Sequence, residues 1–227
     1  MHYPSCNLEE GIRRVRELES LGIDSVMATK DGLLLAGKGF RSVVFVGRSG
    51  EGLVAIKVLR SDSPVKSMEH EARMLKIANS VNVGPRILSY THDIIVMEYI
   101  QGSDIISWVS SLGAERSEEL RKVLRMCFED CFRLDSIGLD HGELSDASRH
   151  VIVDKGLRPV IVDFSNASTV RKVSNVTSFL NYIMHGKVAK SIKRILDVRY
   201  QDMGIVRAYK QCVSEENFNN LMRGLGL

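Results

Sequence analysis

Four side chains in this sequence have the types and spacing needed for phosphate or proton chemistry. Lys57 ends the apolar run 53–56, where an ammonium is costly unless an anionic group meets it. Glu71 falls on the apolar stripe of a predicted helix, so its carboxylate needs a cation, and Lys57 is the obvious candidate. Glu143 and Asp163 flank a predicted hairpin and could hold a metal ion and orient a hydroxyl.

A glycine-spaced turn precedes the strand lysine. Gly37 and Gly39 lack Cβ atoms, so the backbone there can approach a ligand closely, most often phosphate oxygens. Together with Lys57 they predict a nucleotide-phosphate site. An ordinary hairpin beside a lysine that reaches out to solvent explains the same residues, and the glycines alone do not decide between the two.

The elements that must position these residues are mostly strands before residue 102. An amphipathic helix, with apolar residues at positions 8, 12, 15 and 18, is expected to pack onto the lobe that follows. A second helix is predicted to begin at the Ser63-Pro64 cap and to carry Glu71. The predicted elements are the helices 8–20 and 64–79 and the strands 23–27, 33–36, 42–46, 53–56, 87–90 and 94–99.

The pattern becomes mainly helical after Gly102, which sets the predicted boundary between a lobe of residues 1–101 and a lobe of residues 102–227. The fold class is therefore α+β, with an antiparallel sheet and one main helix in the first lobe. Predicted here are a short helix around Trp108, the helices 116–136, 174–184, 187–196 and 214–222, and the strands 150–153 and 159–162.

Composition bounds the function without choosing it. The chain has 227 residues, of which 44% are apolar and 26% charged, and its formal net charge is +3. No apolar run is long enough for a membrane span, and four cysteines are too few for a disulfide scaffold, so we expect a cytoplasmic protein with reduced thiols. Cys127 and Cys131, with His141, could begin a metal site, but we interpret the two thiols as packing residues.

The order of these features resembles the protein-kinase superfamily. A glycine turn, a strand lysine, a helix glutamate, an apolar hinge strand, a His-Gly-acid loop at residues 141–143 and the Asp163-Phe164 pair follow one another over about residues 33–185. Within that superfamily the chain looks like the RIO-type and related small atypical kinases of archaea. The resemblance implies a bilobal kinase-like fold with a compact helical second lobe, and ATP and magnesium as cofactors.

The resemblance also implies a role for each candidate residue. Lys57 would contact the α- and β-phosphates while paired with Glu71, Glu143 would stand where kinases have the catalytic aspartate, and Asp163 would bind magnesium. The remaining implied nucleotide-binding residues are Gly37, Lys38 and Gly39 over the phosphates, Met97 as gatekeeper, and Glu98 to Ile100 as the adenine-binding hinge.

Four departures from the kinase pattern bear on activity. Ser42 and Ser165 replace glycines, which is a mild change, but Glu143 adds a methylene that moves the carboxylate by about 1.5 Å, enough to cost about 10²-fold in rate if uncompensated. The metal-binding asparagine is also missing. Counting five residues past the acid gives Ser148, whereas aligning the strand gives His150 and a two-residue insertion, which we favour although magnesium prefers oxygen.

Three functions remain open. The first is a serine/threonine protein kinase, the second an ATPase switch whose acceptor is water, and the third a pseudokinase that binds nucleotide and a partner. A small-molecule phosphotransferase is a more distant alternative, because the 64 residues after Asp163 leave little room for a substrate region. One basic patch could bind RNA or the ribosome, and it comprises Lys187, Lys190, Lys193 and Arg194. We interpret this patch as a solvated helix face.

Overall fold

The computed structural model describes residues 8–50, 52–196 and 203–227. The chain divides into two compact units. Unit 1 comprises the chain up to Lys76 together with Pro85–Ile100, and unit 2 comprises Ile77–Gly84 together with Gln101–Leu227. The segment Ile77–Gly84, which the sequence pattern assigned to the first lobe, thus groups with the second.

Unit 1 is built on an antiparallel six-stranded sheet with the order β1-β5-β6-β8-β7, in which β4 also pairs with β5. Strand β6 is central, because the hairpin pairing of β5 with β6 and the pairing of β6 with β8 cover both of its edges. The elements of this part of the chain are α1 (Leu8–Ser20), β1 (Ser25–Val26), β2 (Ala28–Thr29), β3 (Gly32–Leu33), β4 (Leu35–Lys38), β5 (Ser42–Ser49), β6 (Gly52–Leu59), α2 (Glu69–Asn79), β7 (Ile87–Tyr90) and β8 (Ile94–Glu98).

The period of two in β6 separates two apolar layers. Val54, Ile56 and Val58 point to the face that packs with Leu18 of α1 and Phe45 of β5. Alternate residues of the same strand point to the opposite face, where Leu59 packs with Met68 and Ala72 around α2. Lys57 has the parity of Leu59, so its side chain lies on the α2 face of the sheet.

Both helices predicted for unit 1 form, but the packing of α1 and the start of α2 differ from the prediction. Most of the apolar stripe of α1 does not pack onto the sheet: of its four apolar residues only Leu18 is buried, whereas Leu8, Ile12 and Val15 are 78%, 45% and 43% exposed. Arg14 is buried in their place, beside Glu10 of the same helix, while the helix is held by Leu18 in its last turn and by the ion pair of Arg13 with Asp93.

Helix α2 begins at Glu69 and not at Ser63-Pro64. The amide of Met68 is bonded to His92 O, which holds the chain in an extended approach, and Ser67 Oγ accepts the amide of Glu69. The cap that starts the helix is therefore Ser67 rather than Ser63.

Unit 2 is mainly helical, with the long helix α4 at its centre and a small sheet of order β11-β10-β9 beside it. Strand β9 and helix α7 were not predicted. The elements are β9 (Gly102–Asp104), α3 (Ile105–Ser110), a 3₁₀ turn (Ala114–Arg116), α4 (Ser117–Ser136), a second 3₁₀ segment (Leu144–Arg149), β10 (Val151–Asp154), β11 (Pro159–Ile161), α5 (Asn175–His185), α6 (Ala189–Ile195), α7 (Met203–Gln211) and α8 (Glu215–Leu225).

The buried face of α4 organises the core of unit 2. Phe128 of α4 meets Phe179 of α5 edge-on, with ring centroids 5.1 Å apart. Cys127 and Cys131 are fully buried on the same helix, and burial raises the pKa of both thiols well above the usual value. A buried thiol with a raised pKa is unreactive, so these cysteines are packing residues.

Candidate functional site

The best-defined pair in unit 1 is the one expected from the sequence. Lys57 Nζ lies 2.5 Å from Glu71 Oε1, and the two residues are only 5% and 7% exposed. Strand β6 supplies the lysine in register with Val44 and Ile95, and the first turns of α2 supply the glutamate. Such a pair is poor evidence for stability, because removing two charges from water offsets much of their attraction, so a role outside packing accounts for it better.

The glycine turn joins the exposed strand β4 to β5. The amide of Gly39 donates to Ser42 O at 2.9 Å, closing a tight turn whose tip carries Phe40 with 78% of its surface exposed. Neither Gly37 nor Gly39 has a positive φ, so what these glycines provide is the open space of a missing Cβ rather than a left-handed backbone. Lys38 is exposed between them.

The predicted hinge residues lie at the end of β8. Met97 pairs with Ala55 of β6 and packs against the apolar layer under α2. The amide of Glu98 donates to Arg86 O at 2.8 Å, and its carboxylate accepts the amide of Arg86. The backbone N–H of Glu98 is thus engaged within the protein.

In unit 2, His141 anchors the loop that carries the predicted acid. Its ring is fully buried, edge-on to Phe164 at 5.0 Å and to His150 at 5.4 Å between centroids. Nε2 of His141 lies 3.1 Å from Val162 O and donates to it, and burial lowers the pKa of this histidine to about 4. His141 is therefore neutral at physiological pH and ties the loop to the strand that leads to Asp163.

Glu143 is half-buried at the start of the 3₁₀ segment Leu144–Arg149, and its carbonyl accepts the amide of Asp146 at 3.1 Å. Asp163 follows β11 by two residues and has φ of +68°. This left-handed conformation is uncommon for residues other than glycine, and such strained positions cluster at functional sites. The amide of Ser165 approaches Asp163 Oδ1 at 3.4 Å, while Phe164 is buried.

The two candidates for the missing asparagine differ in their surroundings. Ser148 is buried, and its hydroxyl is bonded to Asp146 Oδ1 and lies 3.2 Å from Tyr182 Oη. His150 packs edge-on to His141, and its buried Nδ1 has no hydrogen-bond partner in the described part of the chain. The hydroxyl of Ser148 is thus already engaged, whereas a ring nitrogen of His150 is not.

The described residues contain no group of three or more histidine, cysteine, aspartate or glutamate side chains arranged to hold a metal ion. Without such a group, a magnesium ion can be held only when the phosphate oxygens of a nucleotide complete its coordination shell, which is how this ion is usually bound. The carboxylate of Asp163 supplies the oxygen ligand that magnesium prefers, so the residues present fit a nucleotide-bound magnesium ion but not an independent metal site.

The sequence interpretation missed a polar network that holds the loop containing His141 and Glu143. Asn175 Oδ1 accepts the amide of His141 at 2.8 Å, and Asn175 Nδ2 donates to Asp135 Oδ1 and Leu139 O. Asp135 also accepts from Tyr209 Oη at 2.9 Å, and burial raises the pKa of this carboxyl despite those bonds. Asn175 and Asp135 lie 40 residues apart, so no local spacing signals their contact.

The predicted site residues are thus distributed over both units. Unit 1 carries Gly37, Lys38, Gly39, Lys57, Glu71, Met97, Glu98 and Ile100, and unit 2 carries Glu143, His150 and Asp163. The basic patch lies on and beside α6, where Lys190 and Lys193 are exposed, Lys187 Nζ lies 3.1 Å from Asp146 Oδ2, and Arg194 donates to Leu112 O.

These features define a class of protein. An antiparallel sheet with a buried strand lysine paired to a helix glutamate, followed by a mainly helical part with a His-Gly-acid loop and an Asp-Phe pair, is the architecture of a protein-kinase-like fold. A family model of the RIO domain matches residues 54–182, which is more than half of the chain. The chain belongs to the RIO family of atypical, protein-kinase-like proteins.

The matched range includes Lys57, Glu71, Glu143 and Asp163 but begins after the glycine turn at residues 37–39. Members of the RIO kinase-like family generally bind ATP with magnesium. A search of curated proteins found no match. No helix in the described ranges has both the length and the apolar character to cross a membrane.

Proposed function

We propose that this protein is an ATP- and magnesium-dependent phosphotransferase, an atypical serine/threonine protein kinase that transfers the γ-phosphate of ATP to a hydroxyl. The observation that carries the proposal is the buried ion pair of Lys57 and Glu71. An ammonium held at 2.5 Å from a carboxylate inside an apolar layer is oriented more tightly than packing requires, and it suits a phosphate ligand.

Each candidate residue then has a role set by its chemistry. Lys57 contacts the α- and β-phosphates, with Glu71 fixing its ammonium, and Gly37, Lys38 and Gly39 offer backbone and charge to the phosphates. Asp163, with His150 as the second candidate ligand, would hold magnesium, which would supply positive charge to offset that of the ATP phosphates, while ATP would supply the phosphoryl group. Glu143 orients the acceptor hydroxyl and accepts its proton.

Glu143 is the residue on which catalysis depends most sensitively. A carboxylate displaced by about 1 Å from the productive position can cost about 10²-fold in rate. Because Gly142 has φ of +86°, the backbone before the acid follows a path that most residues cannot take, and this path can offset the longer side chain.

A second candidate is an ATPase that acts as a switch. Only 11 residues, 164–174, separate Asp163 from α5, and the regular pairing in that stretch is a single bridge of Ser168 with Asp140. Such a short segment offers little platform for a peptide substrate, which favours water as the acceptor.

If Glu143 does not support chemistry, a third function is a nucleotide-binding pseudokinase that engages a partner. The free thiols Cys127, Cys131 and Cys212 support a cytoplasmic location for any of the three.

Incubation of the purified protein with γ-labelled ATP and magnesium, with and without a generic acceptor such as casein, tests these functions. Label on protein supports the kinase, and label only in free phosphate supports the ATPase. Nucleotide binding without either product supports the pseudokinase. Asp163→Ala is the control, and it should lose labelling and hydrolysis alike. Equal turnover by this variant would refute the assignment of Asp163.

A further inference from the structure

Arg171 lies on the short segment between Asp163 and α5, and its guanidinium is held by three acceptors. Nε donates to Asp140 Oδ2 at 2.5 Å, and Nη2 donates to Asn166 O at 2.9 Å and more weakly to Asp140 O at 3.4 Å. Two of these acceptors are backbone carbonyls at fixed positions. A planar guanidinium bound by several acceptors has one orientation, which a lysine ammonium cannot reproduce.

The anchor of this arginine is itself fixed. Asp140 is 2% exposed, and its other oxygen, Oδ1, accepts both the amide and the hydroxyl of Ser174 at 2.9 and 3.1 Å. The backbone of Asp140 forms a two-way bridge with Ser168, at 2.9 and 2.8 Å. The carboxylate that holds Arg171 is therefore part of a rigid connection between the start of the acid loop and the segment after Asp163.

The held guanidinium occupies the space beside Gly142. A Cβ built on Gly142 would overlap Arg171 Nη2 and would lie 3.0 Å from Asn166 O, the carbonyl to which the same Nη2 donates. Gly142 also has φ of +86°, a conformation that favours glycine, and a Cβ there would in addition displace the guanidinium of Arg171, whose side chain is 48% exposed. The Nη2 atom of Arg171 thus lies next to Gly142, the residue that precedes Glu143.

We propose that Arg171 is a positioning residue, which fixes the backbone of Gly142 and thereby sets the direction of the Glu143 carboxylate. This inference rests on the proposed function, in which Glu143 orients the acceptor hydroxyl. Arg171 acts through the loop and does not touch the reacting atoms. Its removal leaves Gly142 free to take other conformations, and the carboxylate that follows loses its fixed direction.

The first test compares Arg171→Ala with Lys172→Ala, a neighbouring exposed cation with no contact of this kind. Turnover is measured as kcat per nucleotide-binding site, so that a fraction of unfolded protein does not count as a loss. Arg171→Ala should lower kcat by about 10- to 100-fold with the KM for ATP changed by less than about 2-fold. Lys172→Ala should match the wild type, and a kcat of Arg171→Ala equal to that of Lys172→Ala overturns the inference.

Amide hydrogen exchange gives a readout that does not need activity. In Arg171→Ala the amides of residues 142–146 should exchange about 10-fold faster or more, while those of α5 stay within about 2-fold of the wild type. Faster exchange throughout unit 2 would indicate a merely structural role and overturns the inference. If the wild type has no turnover, or if Glu143→Gln turns over like the wild type, the proposed function fails, and the exchange pattern still decides whether Arg171 orders the loop.

Two further variants keep the inference falsifiable if Arg171→Ala unfolds. Arg171→Lys keeps the charge but not the planar fork, so it should fold and should still lower kcat, by less than the alanine variant. Gly142→Ala places a Cβ where the guanidinium lies, so it should lower kcat as Arg171→Ala does, and combining it with Arg171→Ala should cost less than the product of the two losses. Full activity of Arg171→Lys, or independent losses in the double variant, would contradict positioning through Gly142.

Discussion

Replacing Lys57 by methionine separates the structural cost of the buried pair from its function. Lys57→Met keeps the volume but leaves the carboxylate of Glu71, 7% exposed, without the ammonium beside it. Breaking a buried pair from one side costs about 3–5 kcal/mol, whereas replacing both partners by apolar residues is often neutral. We therefore expect Lys57→Met to lower the free energy of unfolding by about 3–5 kcal/mol and Lys57→Met/Glu71→Leu to recover most of it.

Urea denaturation of the wild type, both single variants and the double variant gives the coupling energy between the two residues. Glu129→Gln, which breaks the half-exposed pair with Arg125, should cost less than about 1 kcal/mol and serves as the control. The recovered double variant should nevertheless fail to bind ATP, because the phosphate contact is gone. A double variant as unstable as Lys57→Met would refute the energetic reasoning, and a stable double variant that binds ATP normally would refute the role of Lys57.

Two further predictions concern carboxylates of unit 2. Glu143→Gln should abolish turnover and Glu143→Asp should keep or raise it, as measured by γ-phosphate release or transfer; equal activity in all three proteins would point to a pseudokinase or to another acid. Burial raises the pKa of Asp130 from 3.8 to about 6, although the Arg133 guanidinium acts to lower it. Because the native state binds this proton more tightly than the unfolded state does, protonation of Asp130 stabilises the fold, and this stabilisation is lost as the pH rises through about 6. Asp130→Asn should therefore unfold at higher urea than the wild type at pH 7.5, by about 1–3 kcal/mol, with the difference gone near pH 4, and an equal advantage at both pH values would contradict it.

The part of the site that could be predicted consists of residues whose environment is set by local periodicity. Lys57 reads as buried because it ends an apolar strand, and Glu71 reads as buried because it falls on an apolar helix stripe. Each buried charge needs an opposite one, so their pairing follows from two local patterns and one physical rule. The assignment of the chain to a kinase-like fold rested in the same way on the order of such segments.

What could not be predicted depends on which of two competing contacts forms. The apolar residues of α1 indicate a buried stripe, yet the helix is placed by its last turn at Leu18 and by the pairing of Arg13 with Asp93, which are 80 residues apart, and Leu8 stays exposed. Helix α2 begins late because a bond from Met68 to His92 competes with the Ser63 cap. In both cases the contacting residue, Asp93 or His92, lies too far along the chain for the periodicity of neighbouring residues to reveal the contact.

The backbone conformation at and beside the two predicted acids bears on function. Asp163 has φ of +68° and Gly142, just before Glu143, has φ of +86°. A glycine at position 163 would adopt this conformation without the cost of a Cβ, so backbone geometry alone does not explain an aspartate there. One carboxylate at a left-handed position, and a second directly after a left-handed glycine, are better explained by a requirement for charge in a defined direction than by packing. That requirement fits phosphoryl transfer, in which the protein contributes positioning and charge rather than covalent chemistry.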